Sequence, residues 1–546
     1  MLAALSGFWR TAKLALTTLM VFASTLAFTR TADAIPVFAR KYRTSCITCH
    51  AGFPKLNSVG EAFRRNGYQF PRGDLDLVKD EPIPLGADAM KELWPDSIWP
   101  NDIPNLPPVA FRGRFGFNAA LDGNGNPNSD FRFPMDYSLL SAGTLGENIS
   151  WYAGFVLAGR GGHGGGGHGG GHGAEEPKLE PELERYFVQF SNLFAWSEED
   201  DEDGMREANR WLALPPQAMN LRLGQFEPGV VAPWASIHRQ LGIQGRLPNL
   251  ATIGGNSFAF EPAVRGIELH GVFQNYWSYS VGLVNGNGTG RAWDNNAAKD
   301  YYARVARKWW GYPLDGQVAD VGAADSGPQV EPEVKVGSRY GPRSNSGYAV
   351  VRGQNAEDGF EASSPGLDFW RETSFETGVF GYFGRNVASV TIETDVTVTG
   401  VDENNNPVTI TLEDMMTTSR TDRFQRIGFD ARWTRRDWDV FGAWVWGWHN
   451  DPISDEDPMA IESDSLFTWF VEVDYYFKPW LIGYARYEEL DFANDERQGE
   501  AGIARGVVGA SAYIRTNVRA VTEVVIDANS NGTTNDTLQF MLDLAY

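Results

Sequence analysis

A chain of 546 residues with a formal net charge of −23 and 21% charged residues lacks the basic balance that marks a nucleic-acid binder. Its 60 Gly, 19 Trp, 19 Tyr and 33 Phe are a heavy aromatic and glycine load for a chain of that polarity. Apart from one run near the N-terminus, nothing approaches the ~18 consecutive apolar residues of a helical membrane span, which leaves strands as the elements through which such a chain meets lipid.

At the N-terminus, Arg10 and Lys13 lead the run LALTTLMVFASTLAF, which closes near Ala32-Asp33-Ala34. A charged start, a short apolar stretch and a small-residue site predict an export signal over residues 1–34; a retained anchor is the other reading. Export places the mature chain, from about Ile35, outside the cytoplasm.

Residues 35–80 form a different kind of segment. Between Ile35 and Gly73 there are seven Lys or Arg against one Glu, so a small basic module precedes a large acidic remainder. It holds the only two cysteines, in Cys46-Ile47-Thr48-Cys49-His50. This C-x-x-C-H spacing puts two thiols on one turn, where they can form thioethers to a haem, with the adjacent imidazole reaching the iron. A disulfide, a zinc site or a redox pair would use the same cysteines. The first makes a strained four-residue ring, the second lacks nearby ligands before His163, and the third lacks a βαβ setting. The residues thus predict one covalently attached haem c on Cys46 and Cys49, with His50 as proximal ligand. Met90 is the first conventional distal candidate and otherwise a packing residue; His238, His270 or His449 come into reach only if the module sits inside what the rest of the chain builds. Flanking runs predict two short helices, AIPVFARKY and LNSVGEAFRRNGYQF, the second offering Leu56, Val59, Phe63 and Tyr68 to a haem face and Gly67 as its end. The positive charge of the module would raise the reduction potential.

After a Pro-rich linker, 81–108, the chain alternates. Phe111, Gly113, Phe115, Phe117 and Ala119 oppose Arg112, Arg114 and Asn118; Ile427, Phe429, Ala431 and Trp433 oppose Arg426, Asp430 and Arg432; Phe467, Trp469, Val471, Val473 and Tyr475 oppose Thr468, Glu472 and Asp474. One face for lipid and one for water is the signature of a membrane barrel. A soluble β-sandwich alternates too, but Trp438, Trp444, Trp446, Trp448, Trp469 and Trp480 suit interfacial girdles. The closing LQFMLDLAY, with Leu538, Phe540, Leu542, Leu544 and Tyr546 on one face, resembles the last strand of bacterial outer-membrane barrels. The expected fold class is mainly β: an outer-membrane porin-like β-barrel over 109–546, of about 16 antiparallel strands, with a small N-terminal α-helical cytochrome c module. An even strand number puts both barrel ends on the periplasmic side, so the haem module enters from there.

Expected loops are the tract GRGGHGGGGHGGGHGAEEPK, SEEDDEDG, the stretch 312–345 and VTGVDENNNP. His163, His168 and His172 in the first could hold a transition metal, against a solvated flexible loop. Glu198 to Asp203 could draw cations to the outer mouth, against a merely solvated run.

The run AIPVFARKYRTSCITCHAGFPKLNSVGEAFRRNGYQF followed by a porin-like chain resembles the fused monohaem cytochrome-porin family of outer-membrane iron oxidases. The residues that carry the likeness are Pro36, Phe38, Ala39, Arg40, Cys46, Cys49, His50, Pro54, Leu56, Asn57, Gly60, Phe63, Asn66 and Gly67. The resemblance implies transfer of electrons from extracellular Fe(II) to a periplasmic c-type cytochrome, an Fe(II) oxidase activity, with outer-membrane lipid around the barrel. The alternative is a solute-transport porin with a structural or sensory haem.

Overall fold

The computed structural model describes residues 37–70, 78, 83, 85–97, 103 and 107–546, without 122–126, 146–147, 160–181, 196–213, 231–236, 254–255, 257, 261–262, 287–296, 317–371, 402–406, 453–462, 494–501 and 530–533. The export segment 1–34, the tract with His163, His168 and His172, and the run Glu198 to Asp203 lie outside the described residues.

The N-terminal module is a short helix α1 (Val37–Tyr42), a tight turn at Cys46–Thr48, a hairpin of β1 (His50–Gly52) and β2 (Lys55–Leu56), and helix α2 (Ser58–Arg65). Both expected helices are present but shorter than their runs. Helix α2 ends where Gly67 takes φ +70°, and the amides of Gly67 and Tyr68 return to the carbonyls of Arg64 and Phe63 at 3.3 and 2.9 Å, the pairing that closes a helix with a left-handed glycine. A further helix, α3 (Asp88–Leu93), lies in the linker.

Among the described residues, sixteen antiparallel strands close into one barrel. In chain order they are β3 (Val109–Leu121), β4 (Pro127–Leu145), β5 (Ile149–Gly159), β6 (Glu182–Phe190), β7 (Asn220–Phe226), β8 (Val264–Phe273), β9 (Trp277–Val284), β10 (Asp300–Trp310), β11 (Ser374–Val401), β12 (Pro407–Arg435), β13 (Trp438–His449), β14 (Asp464–Lys478), β15 (Leu481–Phe492), β16 (Ile503–Arg515), β17 (Val518–Asn529) and β18 (Thr534–Ala545). Closure comes from β18 pairing with β3, where Phe111 and Tyr546 exchange backbone hydrogen bonds of 2.7 Å in both directions.

The alternation read from the sequence sorts as expected. Ile427, Phe429 and Val508 face outward and are exposed, whereas Arg426, Asp430, Thr468, Glu472 and Asp474 are buried on the inner face. An outward apolar belt over a charged interior is the layout of a transmembrane barrel. Phe273, Trp310, Trp438, Phe477, Trp480 and Tyr546 are exposed at strand ends on one rim, while Trp446 and Trp448 lie toward the other end of β13. The tryptophans are thus split between two levels, as aromatic girdles at two interfaces would be.

Topology corrects two loop readings. The rim where β3 begins carries tight turns such as Arg435 to Trp438 and Lys478 to Leu481, yet it also carries the long connections 191–219 and 311–373. The flanks of Glu198 to Asp203 therefore sit on the rim of the chain's entry, not at the opposite mouth. Much of VTGVDENNNP is strand: β11 runs to Val401 and β12 resumes at Pro407.

The lumen is filled from both ends. From the turn-bearing rim comes the module. Lys55, almost fully buried, lies 2.6 Å from Asp439, pairs also with Asp474, and has its ammonium 4.3 Å from the centre of the Phe441 ring. Arg65 donates to the Leu314 carbonyl at 2.8 Å, Tyr513 to the Phe53 carbonyl at 3.0 Å, and Lys308 bridges Ser58 and Glu372 at 3.0 and 2.8 Å. From the other end, the connection between β7 and β8 folds inward and carries helix α4 (Leu247–Leu250). Arg246 meets Glu472 at 2.9 Å between the rings of Phe441 and Phe470. The amides of Ile243, Gln244 and Leu247 donate to Glu523 and Glu488, and Leu241, Leu247 and Ile253 are buried.

Most other inner-face acids are held by the barrel's own arginines, as in Arg112 with Asp543, Arg114 with Asp136, Arg304 with Asp430 and Arg505 with Asp527. Lys55 is therefore an anchor of the module rather than one contact in a diffuse attraction. Removing one partner of a buried ion pair strands the other charge and costs about 3–5 kcal/mol. Lys55→Met is expected to leave the barrel folded, judged by its heat-modifiable gel mobility, while exposing the module to added protease; a module that stays protected would contradict the anchor.

Candidate functional site

The Cys46–His50 segment is fastened to α2 by one side chain. Asn57 caps α2 by accepting from the Gly60 amide at 2.9 Å, and its Nδ2 donates to the carbonyls of Ile47 and Thr48 at 3.2 and 3.1 Å. The Asn57 amide donates to the Cys49 carbonyl at 3.0 Å. Gly60 is pressed on the same carbonyl so closely that an added Cβ would stand 2.1 Å from its oxygen. The thiol-bearing turn and the helix thus form one unit.

His50 donates from Nδ1 to the Pro54 carbonyl at 3.1 Å, which leaves Nε2 as the ring nitrogen with a lone pair. A backbone acceptor on one nitrogen is what orients a metal-bound imidazole. Burial, reinforced by the Arg112 guanidinium against hydrogen bonds to the backbone at Pro54 and Lys55, lowers the imidazole to about 4, so it is neutral at any physiological pH. Burial pushes both thiols up. A reactive redox pair needs the reverse, a depressed thiol, and the two cysteines are not bonded to each other. No group of three or more His, Cys, Asp or Glu positioned for a metal ion occurs among the described residues.

Cys46, Cys49 and His50 line a cavity of ≈ 260 Å³ between the module and the wall formed by β3 to β6. Its apolar surface includes Phe38, Leu56, Phe63 and Tyr68, with Phe38 edge-on to Phe63 at 5.1 Å and stacked on Tyr68 at 5.2 Å. Arg112, Arg185 and Arg239 bring positive charge to its edge. A flat apolar macrocycle suits these walls, with thiols for two thioethers and an imidazole for the iron, while Arg112 is paired with Asp543 and Arg185 and Arg239 with Glu227.

Of the residues singled out in the sequence, Cys46, Cys49, His50, Leu56, Phe63 and Tyr68 come together at this cavity, whereas Val59 is buried in packing away from it. Met90 is on α3, 45% exposed and absent from the cavity wall. His449 is committed to Asp422 and to Arg426 at 2.7 Å, and His270 is buried on β8; neither lines the cavity, but His238 does. The arginines of the wall escaped sequence reading because alternation assigns them to the lumen without saying what they face there.

The chain matches no known family model and no curated protein sequence. Among solved structures it is similar to the anion-selective porin from Comamonas acidovorans (10% identity, 80% of this chain and 99% of that one, TM-score 0.42). It is also similar to the outer membrane channel DcaP of Acinetobacter baumannii (8% identity, 80% and 96%, TM-score 0.42) and to OprB of Pseudomonas putida (8% identity, 80% and 94%, TM-score 0.41). Likeness at this level concerns the barrel alone and says nothing of the module or of what crosses the lumen.

Asn57→Ala removes a helix cap worth about 1 kcal/mol together with two bonds to the thiol turn. It is expected to lower covalent haem content several-fold, read as haem stain per barrel on a denaturing gel. Gly60→Val is expected to do the same; full haem loading in both would show that the link from α2 to the turn is dispensable.

Proposed function

We propose that this chain is an outer-membrane electron conduit that takes electrons from an extracellular donor, Fe(II), and passes them to a periplasmic c-type cytochrome. The observation that carries the reading is the enclosure of the C-x-x-C-H cavity inside a lumen that the chain itself fills. Cys46 and Cys49 would hold haem c covalently, and His50 would bind its iron through Nε2. So bound, the group supplies a one-electron redox centre. The residues around it position and shield: Pro54 fixes the imidazole, Phe38 and Phe63 exclude water, and Lys55 keeps the module in the barrel. Each Fe(II) would give up one electron outside and leave as Fe(III), an Fe(II) oxidase activity. The apolar outward belt supports a lipid surround, and the rim bearing β3's start would face the periplasm. Iron as donor rests on the resemblance of residues around Cys46 to the fused cytochrome-porin family.

The second reading, a solute-transport porin with a structural or sensory haem, is favoured by the porin-like closed barrel. The conduit differs from it in requiring the lumen to stay shut. Purified protein is expected to carry haem that survives denaturation and is lost in the double variant Cys46→Ala with Cys49→Ala. In liposome swelling it is expected to pass small sugars no faster than empty vesicles, and anaerobic Fe(II) is expected to reduce its Soret spectrum. Free sugar permeation with a haem that stays oxidised under excess Fe(II) would select the porin reading.

A further inference from the structure

We infer that the exposed basic turns beside Cys46 are the surface on which the electron acceptor docks. The partner that fits them is a small redox protein with an acidic face around its own electron-entry edge. This rests on the reading that Cys46, Cys49 and His50 hold haem c. The Cys46 sulfur lies against Thr516, in the turn between β16 and β17. Ile47, between the two cysteines, is 53% exposed. The haem edge attached at Cys46 would therefore come nearest to solvent at this point of the rim. Electron tunnelling falls exponentially with distance, so a soluble acceptor has to bind there.

The surface around that point is basic. Arg435 and Arg436 at the β12–β13 turn, Lys478 at the β14–β15 turn, Arg515 at the β16–β17 turn, and Arg43, three residues before Cys46, are all exposed. Asp437, partly buried, is the acid in these three turns. Successive turns are two strands apart, so the first and third stand roughly 20 Å from each other along the rim, a span that a small transient partner covers. In a chain of net charge −23 this clustering is local. The β8–β9 turn, opposite Arg515 in the closed order of sixteen strands, carries Gln274, Asn275 and Tyr276 without charge. The β6–β7 connection contains the acidic run Glu198 to Asp203. Cations that served only lipid headgroups would ring the barrel. Gathered beside Cys46, they draw in an acidic partner and orient it, as charge complementarity does in fast transient encounters.

The test is stopped-flow electron transfer from the full-length ferrous haemoprotein, in non-ionic detergent, to two forms of one ferric cytochrome c. One is the unmodified lysine-rich protein and the other has its lysines succinylated. The acidic form is expected to be reduced about tenfold faster at low ionic strength, with a rate constant that falls as salt is added, while that of the basic form rises. The opposite signs of salt dependence separate attraction from any difference in driving force. The quadruple variant Arg435→Glu, Arg436→Glu, Lys478→Glu and Arg515→Glu is expected to reverse the preference with haem content and spectrum unchanged. A folded variant that keeps the wild-type preference overturns the assignment. Should the variant fail to fold, equal and salt-independent rates for the two acceptors in wild type overturn it. A wild-type preference abolished by added anionic phospholipid at constant ionic strength gives the rim to lipid headgroups and overturns it too. Each of these results with covalent haem present leaves the conduit reading standing, and absence of covalent haem removes both.

Discussion

The described module, residues 37–70, is too small to close a core of its own, since chains below ~40 residues need a metal, cross-links or a partner to hold together. That constraint organises the rest. Its aromatic residues, Phe38, Tyr42, Phe63 and Tyr68, pack on one another, but one side of the cluster opens on the cavity and the other meets the barrel wall, where Tyr68 stacks on Tyr152 at 5.7 Å. The barrel supplies the missing half of the core.

Electrostatics follow the same logic. A barrel interior with this many charges is stable only if each finds a partner away from bulk water. Strand neighbours do most of this, arginine against carboxylate across the ladder, and the two inserted segments complete the rest with Lys55 and Arg246. An open channel would leave those carboxylates to water. Among the described residues, inserted chain engages several of them, with Lys55 on Asp439 and Asp474 and Arg246 on Glu472.

The sequence made the barrel legible because lipid on one face and charge on the other impose a period of two that residues such as Arg426 and Ile427 display directly. The Cys46–His50 segment was legible as a candidate site because its spacing is local. The inward connection between β7 and β8 was not: QLGIQGRLPNLATIGG has no period, since its contacts are set by Glu472, Glu488 and Glu523 far along the chain. The same blindness affects the distal ligand. Proximity in sequence favoured Met90, which stands exposed on α3 away from the cavity wall, while the fold brings His238 to that wall. Side was likewise hidden at Glu198 to Asp203, because composition reports a loop but only strand parity reports its rim.

The central claim is that electrons cross the bilayer through a barrel that solutes do not cross. The most direct measurement is electron transfer in vesicles that enclose a membrane-impermeant cytochrome or dye acceptor, with the full-length haemoprotein in the membrane and Fe(II) added outside under anaerobic conditions. Reduction of the enclosed acceptor, absent with the double variant Cys46→Ala and Cys49→Ala and without leakage of an enclosed small solute, is the predicted result. An acceptor that stays oxidised while the protein's own haem is reduced, or that is reduced only as the enclosed solute leaks, would contradict it.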